Sequence, residues 1–392
     1  MKICILSTSY PRSKDDHWVP FMHYWAKELA KTEDVTVVSS GSAGAKGYEV
    51  RDNVKIYRFN YFYPRNLQRL TYRGGMRESF KKEFLAKIQV PFFMLAFMIK
   101  SFRVAREFDV INAHWTLSGI AAIPIKIFLG KPVVLTEHGG GIRGLPKWVN
   151  GLVLRRMDAV TSAHYDMQES IKEMGISNVV DIKNFLDEEK FLKKHDKKSI
   201  RGDLGLKDEK VVSFIGRFEE FKDPLTFINA IGRLVKTLKN VKFIIAGDGH
   251  LKEEIQERIR ELGIGKSIIM PGPSSNVDRY LAVSDAFVAC SPVENCFSTT
   301  ILEAMLSKVP CIITKAGATE KFFVHEKDAF LIEKRSPEML AKAIAALLKD
   351  AKLRKKLSEN GLKFLDRHGF RNKVVREKII KTFKELLDGY GK

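Results

Sequence analysis

Residues 291–305 read SPVENCFSTTILEAM, and this stretch decides the fold class of the 392-residue chain. A helix-like and then strand-like run, YLAVSDAFVA, precedes it at 280–289, and a second strand-like run, PCIIT, follows it at 310–314. Between these runs, a short polar turn leads into an apolar segment. The pattern therefore predicts a strand, a turn and the opening of a helix, which together form an α/β unit. The first turn of such a helix has unpaired backbone N–H groups, and phosphate is a frequent ligand of these groups.

Two acidic residues, Glu294 and Glu303, flank the polar turn. We expect Glu303 about one turn into the helix, where its carboxylate can accept hydrogen bonds from two neighbouring hydroxyl groups. The paired acids resemble the signature of retaining, nucleotide-sugar-dependent glycosyltransferases with the GT-B fold, in family 4, group 1. That family places seven residues between its acids, whereas eight separate Glu294 from Glu303. Either the turn has one extra residue or Asn295 replaces the first acid. The alternative to the resemblance is an ordinary helix start with an exposed glutamate.

The length and the hydrophobic content of 45% fit a globular protein with two domains. Nothing at the N-terminus resembles a signal peptide, because the chain enters a short strand-like run at once. The cysteines show no C-x-x-C spacing, which predicts reduced thiols in a cytoplasmic protein. They are Cys4, Cys290, Cys296 and Cys311. The sequence has no D-x-D triplet and no recognisable cluster of metal ligands, so we expect no bound metal.

The net charge of +20 is unevenly distributed. Between Arg65 and Arg106, ten lysines and arginines stand against two glutamates, which gives a local charge of +8. The same segment contains the apolar run VPFFMLAFMI at 90–99, which at ten residues is too short to span a bilayer. One interpretation is a core helix with basic flanks, and the other is a basic, apolar face that lies on anionic lipid. We find no nucleic-acid-binding motif in the sequence.

Strand-like and helix-like segments alternate along both halves of the chain, which predicts two doubly wound α/β domains. The resemblance covers nearly the whole chain and implies the GT-B fold, in which two Rossmann-like domains face each other and a C-terminal helix crosses back to the first. We place an acceptor-side domain at 1–195, a charged linker at 196–210, a nucleotide-sugar-binding domain at 211–372 and the returning helix at 373–392.

Three further segments carry the resemblance. Residues 216–222 read GRFEEFK, similar to the G-R-x-x-x-x-K diphosphate clamp of the family, and a solvated charged loop is the alternative. Residues 137–141 read EHGGG after a strand, similar to the position whose histidine contacts the donor sugar; a structural histidine is the alternative. The GDG triplet at 247–249 also has a counterpart in the family.

The resemblance assigns a role to each matching residue. The implied catalytic residues are His138, Arg217, Lys222 and Glu294. The implied donor-binding residues are Gly216, Gly247, Phe297, Ser298, Thr299 and Glu303. In the family, retention is ascribed to front-face displacement, in which the leaving phosphate takes the proton of the acceptor. Glu294 would then orient the sugar hydroxyls and Glu303 the ribose diol, and neither would act as a general base.

Other segments depart from the family pattern. The loop TSYPRSKDDH at 8–17 follows the first strand, where the family approaches acceptor and donor, but Trp18, Val19 and Pro20 stand where the family has glycines. Residues 184–187, NFLD, resemble the family's N-G-x-D, with phenylalanine in place of glycine. The missing glycines after the first strand weaken the expectation that backbone approaches a ligand closely there.

The sequence thus predicts a retaining glycosyltransferase that moves a hexosyl group from a nucleotide-diphosphate sugar to a glycan, lipid-linked or small-molecule acceptor. The nucleotide sugar is a co-substrate, and neither a cofactor nor a metal is expected. The predicted location is cytoplasmic, with attachment to an anionic membrane surface on its inner face as a further hypothesis. The alternatives are a sugar-nucleotide epimerase of the same fold and a non-catalytic basic protein that binds RNA or lipid. A dinucleotide oxidoreductase is disfavoured because no G-x-G-x-x-G follows a strand.

Overall fold

The computed structural model describes residues 1–392 except 15, 17–18, 43, 73–75, 139–143, 294–297 and 391–392, and for residues 77 and 78 it describes the backbone alone. The chain forms two compact units. The first comprises Met1–Phe185 and Asn372–Lys392, and the second comprises Leu186–Arg371. Each unit is a mainly parallel sheet with an apolar core on either side, so the predicted pair of doubly wound α/β domains is confirmed.

The sheet of the first unit has eight strands in the described part of the chain. In chain order they are β1 (Lys2–Ser7), β2 (Asp34–Ser40), β3 (Tyr48–Arg51), β4 (Val54–Phe59), β5 (Val110–His114), β6 (Val133–Glu137), β7 (Ala159–Ser162) and β8 (Val179–Asp181). Their spatial order is β3-β4-β2-β1-β5-β6-β7-β8, and only β3 and β4 pair antiparallel. The winding reverses between β1 and β5, and open α/β sheets bind ligands at the carboxyl ends of strands beside such a reversal.

Six α-helices accompany this sheet, within the residues that the structure describes, before the chain enters the second unit. They are α1 (Pro20–Leu29), α2 (Met76–Lys82), α3 (Phe84–Ala105), α4 (Thr116–Leu129), α5 (Lys147–Leu154) and α6 (Tyr165–Glu173). The strands are apolar on both faces because helices cover both. In β1, Ile3 and Ile5 join one core cluster, while Cys4 and Leu6 join the other. This double burial explains why the strand reads as a continuous apolar run.

The β3–β4 hairpin is an element that the sequence analysis did not predict. Its turn is formed by Asp52 and Asn53, which have φ angles of 48° and 62°. Two consecutive left-handed residues are characteristic of a tight hairpin turn, and Asp and Asn are tolerated there. The sequence does contain a pattern typical of a hairpin. Two segments in which apolar and polar residues alternate, YEVR and VKIYRF, lie on either side of an Asp-Asn pair.

The second unit is a six-stranded, all-parallel sheet within the described residues. Its strands are β9 (Lys210–Ile215), β10 (Val241–Ala246), β11 (Ile268–Gly272), β12 (Ala286–Ala289), β13 (Cys311–Thr314) and β14 (Phe330–Ile332). The spatial order is β11-β10-β9-β12-β13-β14. Counted from the first strand of the unit, this is the 3-2-1-4-5-6 order of nucleotide-binding doubly wound sheets. The winding reverses between β9 and β12, which locates the expected ligand position at their carboxyl ends.

Nine helices accompany the second sheet in the described residues. They are α7 (Glu188–Phe191), α8 (Lys197–Asp203), α9 (Pro224–Leu234), α10 (Lys252–Glu261), α11 (Val277–Ala282), α12 (Thr299–Leu306), α13 (Ala318–Phe322), α14 (Pro337–Lys349) and α15 (Ala351–Arg367). Helix starts follow the sequence closely. The carboxylate of Asp223 accepts hydrogen bonds from the backbone N–H and hydroxyl of Thr226, and Pro224 occupies the first position of α9.

The segment 196–210, which the sequence analysis treats as a linker, instead contains α8 and the start of β9. The Asp196 carboxylate caps α8 by accepting hydrogen bonds from two backbone N–H groups, and Ile200 is buried in the core of the second unit. The division between the units falls earlier, between Phe185 and Leu186. The charged composition misled the prediction, because a short helix needs only one apolar residue to anchor it while its other faces stay solvated.

The last helix, α16 (Asn372–Tyr390), belongs to the first unit, in agreement with the predicted returning helix. It buries Val375, Ile379 and Phe383 in the core cluster that also contains Trp25 of α1. Each fully buried side chain of this size contributes about 1.5–3 kcal/mol. A partly buried ion pair, 2.9 Å between Arg376 Nη1 and Glu28 Oε2, fixes the position of the helix along α1.

Candidate active site

The loop after β9 carries the two predicted clamp cations, Arg217 and Lys222. The guanidinium carbon of Arg217 lies 4.7 Å from the ring centroid of Phe221, and the Lys222 ammonium nitrogen lies 5.7 Å from the same centroid. One aromatic ring therefore contacts both cations, and cation–π contact of this kind is worth about 0.5–1 kcal/mol at exposed positions. The loop thereby keeps two positive charges close together at the carboxyl end of β9.

The structure brings this loop to the start of α12. Lys222 Nζ donates a hydrogen bond of 3.3 Å to Oγ of Ser298, and Ser298 Oγ lies 2.8 Å from Oγ1 of Thr300. Ser298 is the N-cap of α12, and Thr299 is its first residue. The ammonium group, two hydroxyls and the N-terminus of α12 thus lie together where the winding of the sheet reverses. All these groups favour an anion, and a diphosphate fits their number and their charge.

Glycines permit the loops after β9 and β10 to interlock. A Cβ atom on Gly247 would lie 1.9 Å from the backbone oxygen of Gly216, and one on Gly249 would lie 2.4 Å from that of Phe218. Backbone hydrogen bonds hold the two loops together, including one of 2.8 Å from the N–H of Phe218 to the carbonyl oxygen of Asp248. Gly247 therefore has a structural reason to be glycine, which holds independently of the donor-binding role implied by the resemblance.

Glu303 lies in the second turn of α12 and is partly buried. Desolvation raises the pKa of its carboxyl group from 4.5 to about 7; Lys190 opposes this shift, while Asp187 and Asp278 add to it. A carboxyl group whose pKa is strongly shifted by burial and by specific charged neighbours is a candidate functional residue. The prediction that Glu303 lies about one turn into a helix is confirmed. The ribose diol remains a prediction for the ligand of Glu303.

Two carboxylates and a histidine meet beside the clamp, although the sequence showed no cluster of metal ligands. Glu219 Oε2 lies 3.2 Å from His250 Nδ1, and Glu220 Oε1 lies 2.8 Å from His250 Nε2. The sequence analysis missed this cluster because His250 lies 30 positions from Glu220. The carboxylates contact opposite nitrogens of one ring, whereas a metal ion would need a ring nitrogen with its lone pair turned toward it. The hydrogen bond to Glu220 raises the pKa of His250, so the arrangement suits an imidazolium held between two carboxylates.

In the first unit, His138 directly follows β6 and stacks on His114, the last residue of β5. The ring of Trp25 contacts both histidines edge-on, with ring centroids 5.2 and 5.6 Å away. Burial lowers the pKa of His138 to about 3; the charge of His164 adds to this effect, and a hydrogen bond to Asn184 opposes it. His138 is therefore a neutral imidazole near neutral pH, able to hydrogen-bond a sugar but not to carry charge. Asn184, which the sequence analysis matched to a family motif, contacts the predicted site histidine.

The residue beside His138, Glu137, has a different function. Its side chain is 1% exposed and accepts a hydrogen bond of 2.7 Å from the hydroxyl of Thr116, the first residue of α4. Burial raises the pKa of Glu137 to about 7, and hydrogen bonds from the side chain and backbone of Thr116 oppose the shift. The carboxyl group therefore caps α4 from the neighbouring strand, which the residue at the N-cap, Trp115, cannot do.

Buried arginines fasten the loop that follows β1. Arg51 donates to the backbone oxygens of Pro11 and Ser13, and Arg58 donates to Pro11 O at 2.9 Å and to Glu49 Oε1 at 2.7 Å. Glu49 accepts from both guanidinium groups, so the buried charges are paired. These hydrogen bonds hold the loop backbone at Pro11 and Ser13. The sequence analysis missed them because all three residues belong to the unpredicted hairpin.

Several predicted positions lie outside the described residues. They are Glu294, the alternative first acid Asn295, the donor-binding Phe297, Cys296 and the three glycines after His138. The choice between an extra turn residue and a lost acid therefore stays open. Of the other predicted site residues, the second unit contains Gly216, Arg217, Lys222, Gly247, Ser298, Thr299 and Glu303, and the first contains His138.

Two family models match the chain. Residues 196–364 match Glycosyl transferases group 1, and residues 20–190 match Glycosyltransferase Family 4. Among curated relatives, the chain is 28% identical to a GalNAc-alpha-(1->4)-GalNAc-alpha-(1->3)-diNAcBac-PP-undecaprenol alpha-1,4-N-acetyl-D-galactosaminyltransferase of Campylobacter jejuni, over 86% of each chain. It is 26% identical to the N-acetyl-alpha-D-glucosaminyl L-malate synthase of Bacillus anthracis, over 76% of this chain and 80% of the other.

The fold has close counterparts among solved structures. The Anabaena protein HepE, solved in complex with UDP, superposes with a TM-score of 0.76 at 17% identity, over 98% of this chain and 100% of that one. At this identity the likeness concerns the fold alone. Only a few residues separate the two family matches, which together extend through both units. The chain is therefore a GT-B glycosyltransferase of family 4, group 1.

Proposed function

We propose that this glycosyltransferase transfers a sugar from a nucleotide-diphosphate sugar with retention of configuration and without a metal ion. The observation that carries the proposal is the meeting of Arg217, Lys222 and the first turn of α12 at the carboxyl ends of β9 and β12. Negative charge grows on the diphosphate as the bond to the sugar breaks. Fixed cations and helix N–H groups stabilise that charge in the transition state more than in the ground state, which is the requirement for catalysis.

Arg217 and Lys222 can take the place of a divalent metal ion at the diphosphate. In many nucleotide-sugar sites a divalent cation neutralises the diphosphate, and its carboxylate ligands would have to lie beside it. Here Arg217 and Lys222 supply two positive charges at the same place, and the ammonium already contacts the hydroxyl of Ser298. Two acidic groups of the same loop, Glu219 and Glu220, are paired with His250. The proposal is therefore that protein cations take over the neutralisation of the leaving group.

The remaining roles follow the resemblance. Glu303, whose pKa lies at about 7, would bind the ribose diol as a carboxylate. Glu294 and His138 would orient the hydroxyls of the donor sugar. The leaving phosphate would accept the proton of the attacking hydroxyl, so the bond from acceptor oxygen to sugar forms on the face from which the diphosphate leaves. No general base among the side chains is then required.

A lipid-linked acceptor is the second part of the proposal, and α3 supports it. This is the one helix in the described part of the chain with the length and hydropathy to cross a membrane, and 28% of its most apolar stretch is buried. A core helix can meet the same criterion, and one face of α3 does pack on the sheet. The buried face consists of Ala86, Gln89, Phe93, Phe97, Ser101 and Ala105.

The opposite face of α3 is apolar as well, although it is exposed. Phe84, Ile88, Phe92, Leu95 and Ile99 recur at helical spacing, with side chains exposed by 44–77%. We call these five residues the apolar stripe. The neighbouring end of α4 adds Phe128, 74% exposed, whose ring contacts Phe102 of α3. A contiguous apolar surface of this kind marks a binding face for a protein or a membrane.

The charges around the apolar stripe favour a membrane with anionic lipid. Lys81, Lys82 and Lys87 lie at one end of α3 and Arg103 and Arg106 at the other, all exposed. An apolar face between basic groups matches the interfacial boundary of a bilayer, where apolar side chains enter the acyl region and cations meet lipid phosphates. The curated relative of Campylobacter acts on a PP-undecaprenol-linked sugar by its name. A polyprenyl-diphosphate-linked acceptor is therefore the class that we propose.

The test uses the whole chain with a panel of radiolabelled nucleotide-diphosphate sugars and a polyprenyl-diphosphate-linked N-acetylhexosamine. We expect label to move from one donor to the lipid-linked acceptor, in the presence of excess EDTA, and NMR of the product to show the anomeric configuration of the donor. An inverted product or an absolute need for Mg²⁺ or Mn²⁺ would contradict the mechanism. Incubation of the donors without acceptor separates transfer from epimerisation, since an epimerase would convert the donor in water alone.

A further inference from the structure

The histidine pair of the first unit has a hydrogen bond whose direction can be determined. The rings of His114 and His138 are stacked, with centroids 5.0 Å apart and planes at 11°, and His114 Nδ1 lies 2.7 Å from His138 Nε2. One of these nitrogens carries the hydrogen and the other accepts it. The answer determines what the remaining nitrogen of His138 can bind.

Two contacts determine the orientation of the Asn112 side-chain amide. The indole Nε1 of Trp25 lies 3.2 Å from Asn112 Oδ1, and an indole N–H can only donate. On the other side, Asn112 Nδ2 lies 3.3 Å from the backbone oxygen of Val134, and a carbonyl can only accept. Both contacts require the same orientation of the amide, which settles an assignment that is otherwise ambiguous. The oxygen of Asn112 is therefore an acceptor on the side of the histidine pair.

The acceptor oxygen of Asn112 determines which ring nitrogens of His114 and His138 carry hydrogens. His114 Nε2 lies 3.0 Å from Asn112 Oδ1, so this nitrogen carries a hydrogen. His114 is fully buried, and its pKa lies well below 6.5 because of desolvation and the proximity of His138. A neutral imidazole has one hydrogen, so Nδ1 of His114 has only its lone pair. Nε2 of His138 must then donate to it, and Nδ1 of a neutral His138 is left as an acceptor.

We propose that His114 is a positioning residue for glycosyl transfer, which together with Asn112 and Trp25 holds His138 in its Nε2–H tautomer, so that Nδ1 accepts a hydrogen bond from a hydroxyl of the donor sugar. The identity of the ligand rests on the proposed function, whereas the tautomer rests on the hydrogen-bond chain and on the neutral state of the buried His114 ring. Asn184 also hydrogen-bonds to His138. His138 in this state can recognise a hydroxyl and cannot donate a proton from Nδ1.

The first measurement uses the wild-type protein. Long-range ¹H–¹⁵N correlation spectra of the chain with ¹⁵N-labelled histidines report the tautomer of each neutral ring, and the spectrum of His138→Gln assigns the signals of His138. We expect the Nε2–H tautomer for both His114 and His138 near neutral pH. A hydrogen on Nδ1 of His138 would overturn the proposal. Loss of glycosyl transfer in every assay would refute the proposed function and leave this measurement unaffected.

The second measurement uses variants at His114. In His114→Phe the acceptor for His138 Nε2–H is removed, so we expect a mixed tautomer and a donor KM raised roughly tenfold, the effect of one hydrogen bond. In His114→Asn the side-chain oxygen can replace Nδ1 as acceptor, so the tautomer and most of the donor affinity should return. Thr161→Val is the matched control, because it removes a 2.9 Å hydrogen bond to Thr136 in the same network without contacting either histidine.

A merely structural role for His114 gives a different pattern. In that case His114→Phe and His114→Asn would lower the melting temperature alike, and the tautomer of His138 and the donor KM would not change. That result, obtained on folded variants, would contradict the positioning role. If His114→Phe fails to fold, the wild-type tautomer and the comparison of His114→Asn with Thr161→Val still decide the question.

Discussion

Lys222 donates a hydrogen bond of 3.3 Å to Ser298, a residue 76 positions further along the chain. This contact joins the loop after β9 to the first turn of α12. The two strands that lead into these segments, β9 and β12, are neighbours although β10 and β11 separate them in sequence. The contact therefore depends on the reversal of winding in the sheet, and it assembles a cation, hydroxyls and a helix N-terminus into one anion site.

The first prediction concerns the clamp. Arg217→Ala and Lys222→Ala should each lower kcat by roughly 10²–10³-fold, about 2.7–4 kcal/mol, the loss known for removal of one donor to a developing anion. The measurement is steady-state transfer from the identified donor. Lys239→Ala is the control, because this exposed lysine precedes β10 and so lies at the opposite edge of the parallel sheet. If Lys222→Ala kept the wild-type kcat, Lys222 would have no role in stabilising the leaving group.

The second prediction concerns the interlocked glycine loops. In Gly247→Ala the new methyl group would lie 1.9 Å from the backbone oxygen of Gly216, so the loop that carries Arg217 must shift. We expect the free energy of unfolding to fall by roughly 1–3 kcal/mol, the usual cost of a strained backbone position, and donor affinity to fall with it. Urea unfolding and donor titration measure the two effects.

The matched control for that variant is Gly265→Ala. Its methyl group would find the nearest atom, Ile259 Cγ2, at 3.9 Å, an ordinary contact. Stability should stay unchanged or rise slightly, because alanine reduces the entropy of the unfolded chain. Equal stability of the Gly247 and Gly265 variants would mean that the interlocked loops can separate at no cost.

The third prediction concerns the pH dependence of donor binding through Glu303. Its pKa in the folded protein, about 7, lies above the ordinary value of 4.5, so the group is protonated below neutral pH and becomes a carboxylate as the pH rises through 7. The carboxylate can accept one hydroxyl of a diol on each of its two oxygens, whereas in the protonated acid one oxygen carries a hydrogen and is a weaker acceptor. Donor KM should therefore fall between about pH 6 and about pH 8, and Glu303→Gln should lose this dependence.

The same pKa has a consequence for stability. The folded state binds the proton of Glu303 more tightly than the unfolded state, so the free energy of unfolding decreases as the pH rises from 4.5 toward 7. Urea unfolding of Glu303→Gln should show a weaker decrease over this range. An unchanged pH profile in both assays would show that Glu303 titrates at an ordinary value.

The fourth prediction concerns the apolar stripe on α3. Phe92→Glu combined with Leu95→Glu should abolish sedimentation with vesicles that contain anionic lipid, because two charges would enter the interfacial region. Met339→Glu is the control, since Met339 is 41% exposed on α14 in the second unit. Binding of the wild type should weaken as salt rises, because charges more than about 10 Å apart are screened at 0.1 M ionic strength. Recovery of the wild type in the supernatant at low salt would contradict the membrane hypothesis.

Sequence alone was sufficient for the features that depend on neighbouring residues. Continuous apolar runs such as KICILS at 2–7 predict strands buried on both faces, because this pattern reflects local backbone chemistry. The glycines, cations and acids that follow strands could be found in the same way. They identify the class of site, since open parallel sheets bind ligands at strand carboxyl ends.

Only the tertiary structure decided which of these residues meet. The contact of Lys222 with Ser298, the pairing of His250 with two glutamates and the hydrogen-bond chain from Trp25 to His138 all join residues on different elements. The two faces of α3 likewise differ in burial although both are apolar in sequence. The physical reason is that strand order and helix rotation are set by packing of the whole unit, and hydrogen-bond direction depends on distances of a few ångströms that no linear pattern specifies.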